Sequence, residues 1–128
     1  MKHLSTIGRI LFALPFGIIG INHFLMKEVF LQIMETTSFI PGGGFIILFT
    51  GFILILTSVS IILNKFIQIS CFVLAGLLLI FILSIHIPGL FVEDTHQAAL
   101  SLFMLMKDMG LMGGTLMIAA YYNPVKRV

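Results

Sequence analysis

The chain contains a single cysteine, Cys71, and this residue lies inside a long apolar run. One cysteine allows neither an intrachain disulfide nor a CxxC redox pair. The dithiol chemistry of enzymes such as the vitamin K epoxide reductases is therefore excluded. We interpret Cys71 as a small core residue.

Charged residues are also scarce, at 9% of the 128 residues, whereas 59% are hydrophobic and the mean hydropathy is +1.19. A soluble domain of this size buries about two thirds of the surface of its unfolded chain, which is too little to hide so much apolar surface. Four apolar runs cover approximately residues 7–24, 45–63, 66–87 and 100–122. A run of ~18 or more apolar residues can cross the ~30 Å hydrocarbon core as a helix. The sequence therefore predicts an all-α polytopic membrane protein, a four-transmembrane-helix antiparallel bundle that forms one domain over residues 1–128.

The charges divide the connecting segments into two groups. Basic residues occupy the head, the turn between the second and third runs, and the tail: Lys2, Arg9, Lys65, Lys126 and Arg127. Acidic residues, with one lysine, occupy the two remaining loops: Glu28, Glu35, Glu93, Asp94 and Lys27. Because cytoplasmic loops carry the excess of lysine and arginine, both termini are predicted to be cytoplasmic.

The first outer loop has the pattern of a short amphipathic helix. Its polar residues fall on one side of the helix: Lys27, Glu28, Gln32 and Glu35. Its apolar residues fall on the other: Val29, Phe30, Ile33 and Met34. Such a helix is expected to lie in the outer membrane interface. Pro41 and the glycines that follow it are expected to end this helix and turn the chain into the second span.

Signals in the second outer loop predict the end of the third span and the start of the fourth. Pro88 and Gly89 are expected to end the third span, with Pro88 biasing Ile87 away from helical geometry. Asp94, followed three residues later by Gln97, resembles a capping box for the fourth span.

Polar residues from all four spans converge at one depth. Spans one and three run outward and end in polar residues, whereas spans two and four run inward and begin with them. The residues are Asn22, His23, Thr50, His86, Ser101, Lys107 and Asp108. We interpret this set as a ligand-binding site in the outer third of the membrane.

In the fourth span, Ser101, Asp108 and Thr115 are spaced i, i+7, i+14 and so form one stripe. Lys107 and Asp108 are adjacent and about 100° apart, so they are expected not to neutralise each other. Lys107 is expected to reach the headgroups. Asp108 then needs another partner, because a carboxylate at membrane depth is costly unless it is paired. His23 and His86 are the candidates, and all three residues are candidate catalytic groups.

Three interpretations of this cluster remain open. It is a structural staple between helices, or a pocket in which Asp108 and a histidine bind a ligand or move protons, or a metal site formed by His23, His86 and Asp108. No closely spaced pair of ligands supports the third interpretation, and no metal is expected. The methionines of the fourth span would give a lipophilic ligand a soft, adaptable wall.

Several stretches resemble the DoxX-like family of small four-helix integral membrane proteins. They are residues 9–12 (RILF), residues 16–24 (FGIIGINHF), Pro41 and residues 107–114 (KDMGLMGG), so that the resemblance spans nearly the whole chain. One departure concerns the second span, where many relatives carry a glutamate shortly after its glycine. Here Gly51 is followed by Phe-Ile-Leu-Ile, so any role of that glutamate is not transferred.

The resemblance implies a protein of the cytoplasmic membrane of a prokaryote that is associated with quinone-linked redox systems. The expected function is an accessory or quinone-interacting subunit without a catalytic motif of its own. A membrane quinone is the expected cofactor, and the expected partners are the bilayer, a redox subunit or a second copy, without nucleic acid. The alternatives are a non-catalytic membrane chaperone or assembly factor and a small-molecule carrier.

Overall fold

Helices make up almost all of the computed structural model, which describes residues 2–37 and 42–122. The described residues are 89% helical and contain no strand. The predicted break at Pro41 and the basic tail residues Lys126 and Arg127 lie outside them.

The helices follow one another along the chain with short connections. They are α1 (Lys2–Leu25), α2 (Lys27–Thr37), α3 (Gly43–Ile62), α4 (Ile67–Phe81), a π turn (Ile82–His86), α5 (Ile87–Gly89) and α6 (Thr95–Tyr121). Four stretches are long and apolar enough to cross a membrane: His3–Leu25, Gly43–Ile62, Ile67–Gly89 and Thr95–Tyr121. The predicted helical membrane protein with four long apolar helices is thereby confirmed. The predicted cap of the fourth span is confirmed: the Asp94 side chain accepts hydrogen bonds from the backbone N–H groups of His96 and Gln97, so that α6 begins before the apolar run at residue 100.

Small residues bring α1 and α3 into close contact. A Cβ atom built on Gly20 would lie 2.8 Å from the carbonyl oxygen of Gly51, and one built on Gly51 would lie 2.7 Å from Cβ of His23. Ser58 Oγ donates a hydrogen bond of 2.8 Å to the carbonyl oxygen of Ala13 across the same interface. Close backbone approach through glycine and an interhelical hydroxyl bond are typical of membrane helix pairs. The α1–α3 contact therefore fixes where His23 sits.

The buried core joins this pair to α4 and α6. It contains Ala13, Phe16, Leu54, Ile61, Ile67, Cys71, Leu74, Leu78 and Ala119. Cys71 is fully buried there, in agreement with its interpretation as a small core residue. Phe12 lies against Gly114, where an added Cβ would come within 3.0 Å of the ring, and so links α1 to α6.

The connection between α3 and α4 is a tight turn that contains Asn64 and Lys65. Asn64 and Phe66 both adopt positive φ, at 60° and 53°, which is uncommon for residues other than glycine. The Lys65 N–H donates to the Ser60 carbonyl at 3.0 Å, and the Ser60 hydroxyl bonds back to the Lys65 carbonyl. These bonds satisfy backbone groups that the end of α3 would leave unpaired.

The prediction that Pro88 turns Ile87 out of the helix is wrong. Ile87 is helical, with φ −65° and ψ −50°, and the helix continues to Gly89. The π turn at Ile82–His86 lies immediately before it. Because proline lacks an N–H and its ring crowds the carbonyl four residues earlier, a wider turn at this point accommodates it without ending the helix. Gly89 then lies directly against Ser101, so that α5 contacts α6 closely.

Arg9 lies buried at the end of the molecule opposite α2. Its Nη2 donates to the carbonyl oxygen of Ile62 at 3.5 Å, at the carboxyl end of α3, and its guanidinium carbon is 5.4 Å from the centre of the Tyr122 ring. A cation at the carboxyl end of a helix is favourable because that end is partially negative. Arg9 thus links α1, α3 and the end of α6.

We predict that Gly51→Ala lowers the unfolding midpoint of the protein in detergent, measured by circular dichroism. The added methyl group overlaps His23 and the Gly20 carbonyl, and overpacking of this kind costs about 1–3 kcal/mol. Gly76→Ala is the matched control, because a Cβ at this exposed helical position meets no atom within 4 Å. There alanine should be neutral or stabilising by up to about 1 kcal/mol. Equal midpoints for the two variants would contradict the close α1–α3 packing.

Candidate functional site

A cavity of about 440 Å³ lies between the helices at the end that carries α2. It is lined by α1, α2, α3, α4, the π turn and α6, and its walls are mostly apolar, with Ile19, Ile47, Phe81 and Met104 from four different helices. A few polar side chains interrupt these walls. Its volume falls within the ~300–1,000 Å³ typical of small-molecule sites, which are also mostly apolar with a few placed polar groups.

The predicted binding residues, except Asn22, line this cavity. They are His23 from α1, Thr50 from α3, His86 from the π turn, and Ser101, Lys107 and Asp108 from α6. Asn22 is half-buried on α1 and is not part of the lining.

Sequence reasoning missed Gln97, which also lines the cavity. It was interpreted only as part of the cap of α6. Its spacing could have revealed it, because Gln97, Ser101, Met104 and Asp108 follow i, i+4, i+7, i+11 and share one face of the helix.

Asp108 pairs with two side chains at once, through a hydrogen bond with His86 and an ion pair with Lys107. Its Oδ2 lies 2.8 Å from Nε2 of His86, and its Oδ1 lies 3.1 Å from Nζ of Lys107. The expectation that Lys107 and Asp108 would not neutralise each other is therefore wrong. Their Cβ atoms do point in different directions, but the four methylene groups of lysine let Nζ swing round to its neighbour.

The burial of these three side chains decreases from the carboxylate outward. Asp108 is 4% exposed, His86 14% and Lys107 48%. A buried carboxylate is strongly unfavourable unless it is paired and hydrogen-bonded, and here each oxygen has a partner. Lys107 supplies the compensating charge from the half-exposed side, and His86 supplies a hydrogen bond from the cavity wall.

The π turn determines the direction in which His86 points. A residue inserted into a helical turn shifts the following side chains around the axis, and π turns occur frequently at functional sites. His86 is the last residue of this turn, and Pro88 follows it by two positions. The local irregularity before Pro88 thus coincides with the residue that reaches across to α6.

His23 is held by two contacts of its own. Its Nδ1 lies 2.8 Å from the carbonyl oxygen of Ile19, one turn earlier in α1. Its ring stacks on Phe30 of α2, with ring centres 4.0 Å apart and planes inclined by 22°. Phe30, Ile33 and Met34 all line the cavity, so α2 covers it and is joined to α1 through this stack.

The structure keeps His23 apart from the His86–Asp108 pair. Among residues 2–37 and 42–122, no three histidine, cysteine, aspartate or glutamate side chains come close enough to hold a metal ion. The cavity therefore has two separate polar stations. One is His23, and the other is the group of His86, Asp108 and Lys107, which we call the Asp108 triad.

Comparison with known proteins gives no relative from which function could be transferred. No protein-family model matches the chain, and neither a curated protein nor a solved structure matches it. The resemblance to the DoxX-like family therefore stays a prediction, and function has to be argued from the cavity itself.

We predict that His86 and Asp108 are energetically coupled. In a double-mutant cycle of His86→Ala and Asp108→Asn, the double variant should lose about 1–3 kcal/mol less unfolding free energy than the sum of the two single losses. The reason is that each single change already breaks the same bond. The control cycle combines His23→Ala with Asp108→Asn and should be additive within about 0.5 kcal/mol, since His23 bonds elsewhere. Additivity in both cycles would show that the His86–Asp108 bond contributes nothing.

Proposed function

We propose that this chain binds a lipophilic molecule with a hydrogen-bonding head in its cavity and serves as an accessory or quinone-interacting subunit of a membrane redox system. The supporting observation is the Asp108 triad in the wall of an apolar cavity. A carboxylate that served only to join two helices would be expected to have closely packed surroundings. Asp108 instead borders a space large enough for a ligand ring.

The surface around the cavity favours a ligand that enters from the lipid. Leu100, Met104 and Ile33 line the cavity and are also more than 40% exposed on the outside of the molecule. In a membrane these side chains face hydrocarbon. A gap between α2 and α6 would therefore admit an apolar tail sideways, with the head directed toward the triad.

A membrane quinone, in its oxidised or its reduced form, suits these features because it combines a flat ring, two polar oxygens and an apolar tail. The two polar stations of the cavity would address the two oxygens, and the methionine and isoleucine walls would contact the ring and the start of the tail. Cys71 is the only cysteine, so the chain offers no dithiol for electron transfer. In this proposal a partner subunit exchanges electrons with the bound molecule.

The proposal includes the placement of the protein in a prokaryotic cytoplasmic membrane as an antiparallel four-helix bundle. The charge distribution of the loops supports cytoplasmic termini, and this orientation puts the cavity near the outer face. On α2, Glu28 and Glu35 are exposed, as are the apolar residues Val29 and Ile33. That mixture suits a helix lying in the outer interface. Membership of the DoxX-like family is part of the same proposal.

We predict that the protein purified in native membrane discs retains stoichiometric isoprenoid quinone, detected by mass spectrometry of extracted lipids. A His23→Ala/Asp108→Asn variant should retain much less, because both polar stations are lost. His96→Ala is the matched control, since His96 is exposed and does not line the cavity. If wild type and double variant carry the same bulk phospholipid and no quinone, the redox proposal fails and the triad is a structural staple.

One feature of α6 favours the second candidate, a membrane assembly factor. Added Cβ atoms at Gly110 and Gly113 would meet no atom within 4 Å, so α6 presents two uncovered glycines outside the core. Glycines at a helix surface let a partner helix approach closely. For this candidate we predict that Gly110→Leu/Gly113→Leu abolishes co-purification of a stoichiometric membrane protein, whereas Gly76→Leu does not. Absence of any stoichiometric partner with the wild type would remove it.

A further inference from the structure

Each of the two histidines that line the cavity uses one N–H group to donate a hydrogen bond to another part of the protein. A carbonyl oxygen has no hydrogen to donate, so the 2.8 Å bond between His23 and the Ile19 carbonyl requires the hydrogen on Nδ1. Neutral His23 then has a bare Nε2, which can only accept. The hydrogen bond made by one ring nitrogen in this way determines the state of the other.

His86 also has one nitrogen that donates and one that only accepts, but the roles of Nδ1 and Nε2 are the reverse of those in His23. Asp108 Oδ1 forms an ion pair with Lys107 Nζ at 3.1 Å, and a carboxylate in such a pair only accepts hydrogen bonds. The 2.8 Å bond to Oδ2 therefore requires the hydrogen on Nε2 of His86. Lys107 already pairs with the Asp108 carboxylate, and the neutral form of His86 completes the bond to Oδ2 with the one hydrogen that it carries. Nδ1 of that ring is then a bare acceptor.

From these two rings we infer that the cavity selects ligands that donate hydrogen bonds. This inference rests on the proposed function and specifies its ligand: the hydroxyl-bearing quinol, or another phenol or alcohol with an apolar tail, binds better than the corresponding quinone or ether. An oxygen that can only accept could bond to neither of these bare ring nitrogens, which also only accept. Leaving such groups unpaired in a dry site is costly.

The other polar groups of the cavity do not reverse this preference. The hydroxyls of Thr50 and Ser101 and the amide of Gln97 can each donate or accept, so they serve either kind of ligand. Lys107 only donates and has hydrogens beyond the one directed at Asp108, but its side chain is half-exposed rather than enclosed in the cavity. The histidines therefore decide the selectivity.

Preferential binding of the reduced form has a consequence for redox chemistry. Whatever binds quinol more tightly than quinone makes the bound quinone easier to reduce. A tenfold preference raises the midpoint potential of a two-electron couple by about 30 mV. In a redox assembly, the cavity would thus hold the reduced carrier until a partner oxidises it.

The test compares pairs of ligands in which one member carries hydroxyl groups that donate hydrogen bonds and the other carries only acceptor oxygens. The pairs are 4-decylphenol with 4-decylanisole, and 2-decylhydroquinone with 2-decyl-1,4-benzoquinone, titrated calorimetrically into protein in membrane discs against empty discs. We expect the hydroxyl-bearing member of each pair to bind about tenfold tighter, since one hydrogen bond contributes roughly that factor. His23→Phe and His86→Phe should each reduce this ratio, and His96→Phe should preserve it.

Two other results are possible, and they contradict different claims, either the selectivity for donors or the ligand site itself. Equal affinities within both pairs, or tighter binding of the anisole and the benzoquinone, would overturn the inference while leaving a lipophilic ligand site in place. Absence of saturable binding for all four compounds would overturn the proposed function as well. The wild-type ratios decide the question by themselves if a histidine variant fails to fold.

Discussion

The structure at the α2 end depends on one constraint: a carboxylate buried among apolar helices must have both of its oxygens paired. Asp108 meets it with His86 at 2.8 Å and Lys107 at 3.1 Å. The hydrogen bond joins α6 to the π turn, and the ion pair compensates the charge from the half-exposed side. Removing either partner would leave a buried group unsatisfied, which costs far more than the bond itself contributes. The cavity, its polarity and its proposed ligand all depend on this arrangement.

The surrounding fold supplies the geometry for these bonds. The π turn ends at His86, two residues before Pro88, and His86 reaches across from it to Asp108 of α6. Gly89 lets the end of this segment lie against Ser101. On the other side of the cavity, the glycine contact between α1 and α3 positions His23. The His23 ring stacks on Phe30 and so joins α2 to α1. The two histidines thus belong to different helix pairs, with a cavity between them rather than a shared metal site.

Sequence periodicity was enough to predict the four apolar helices and most of the polar residues that line the cavity, because both follow from the length and phase of the helices. It was insufficient where side-chain reach or local irregularity decided the outcome. Lys107 folds back onto its neighbour, which helical phase alone does not anticipate. The π turn depends on how the chain relieves Pro88 while α6 packs nearby. The contribution of Phe30 required knowing that α2 folds over the cavity, which its amphipathic pattern left open.

The central claim is that an ionised Asp108 fixes His86 in one neutral form while Ile19 fixes His23 in the opposite one. Solid-state nitrogen NMR of histidine-labelled protein in lipid, with His23→Phe and His86→Phe used to assign the signals, measures this directly. The account predicts that His86 carries its hydrogen on Nε2 and His23 on Nδ1, each with an unprotonated second nitrogen. A hydrogen on Nδ1 of His86, or a doubly protonated ring at either position near neutral pH, would contradict it.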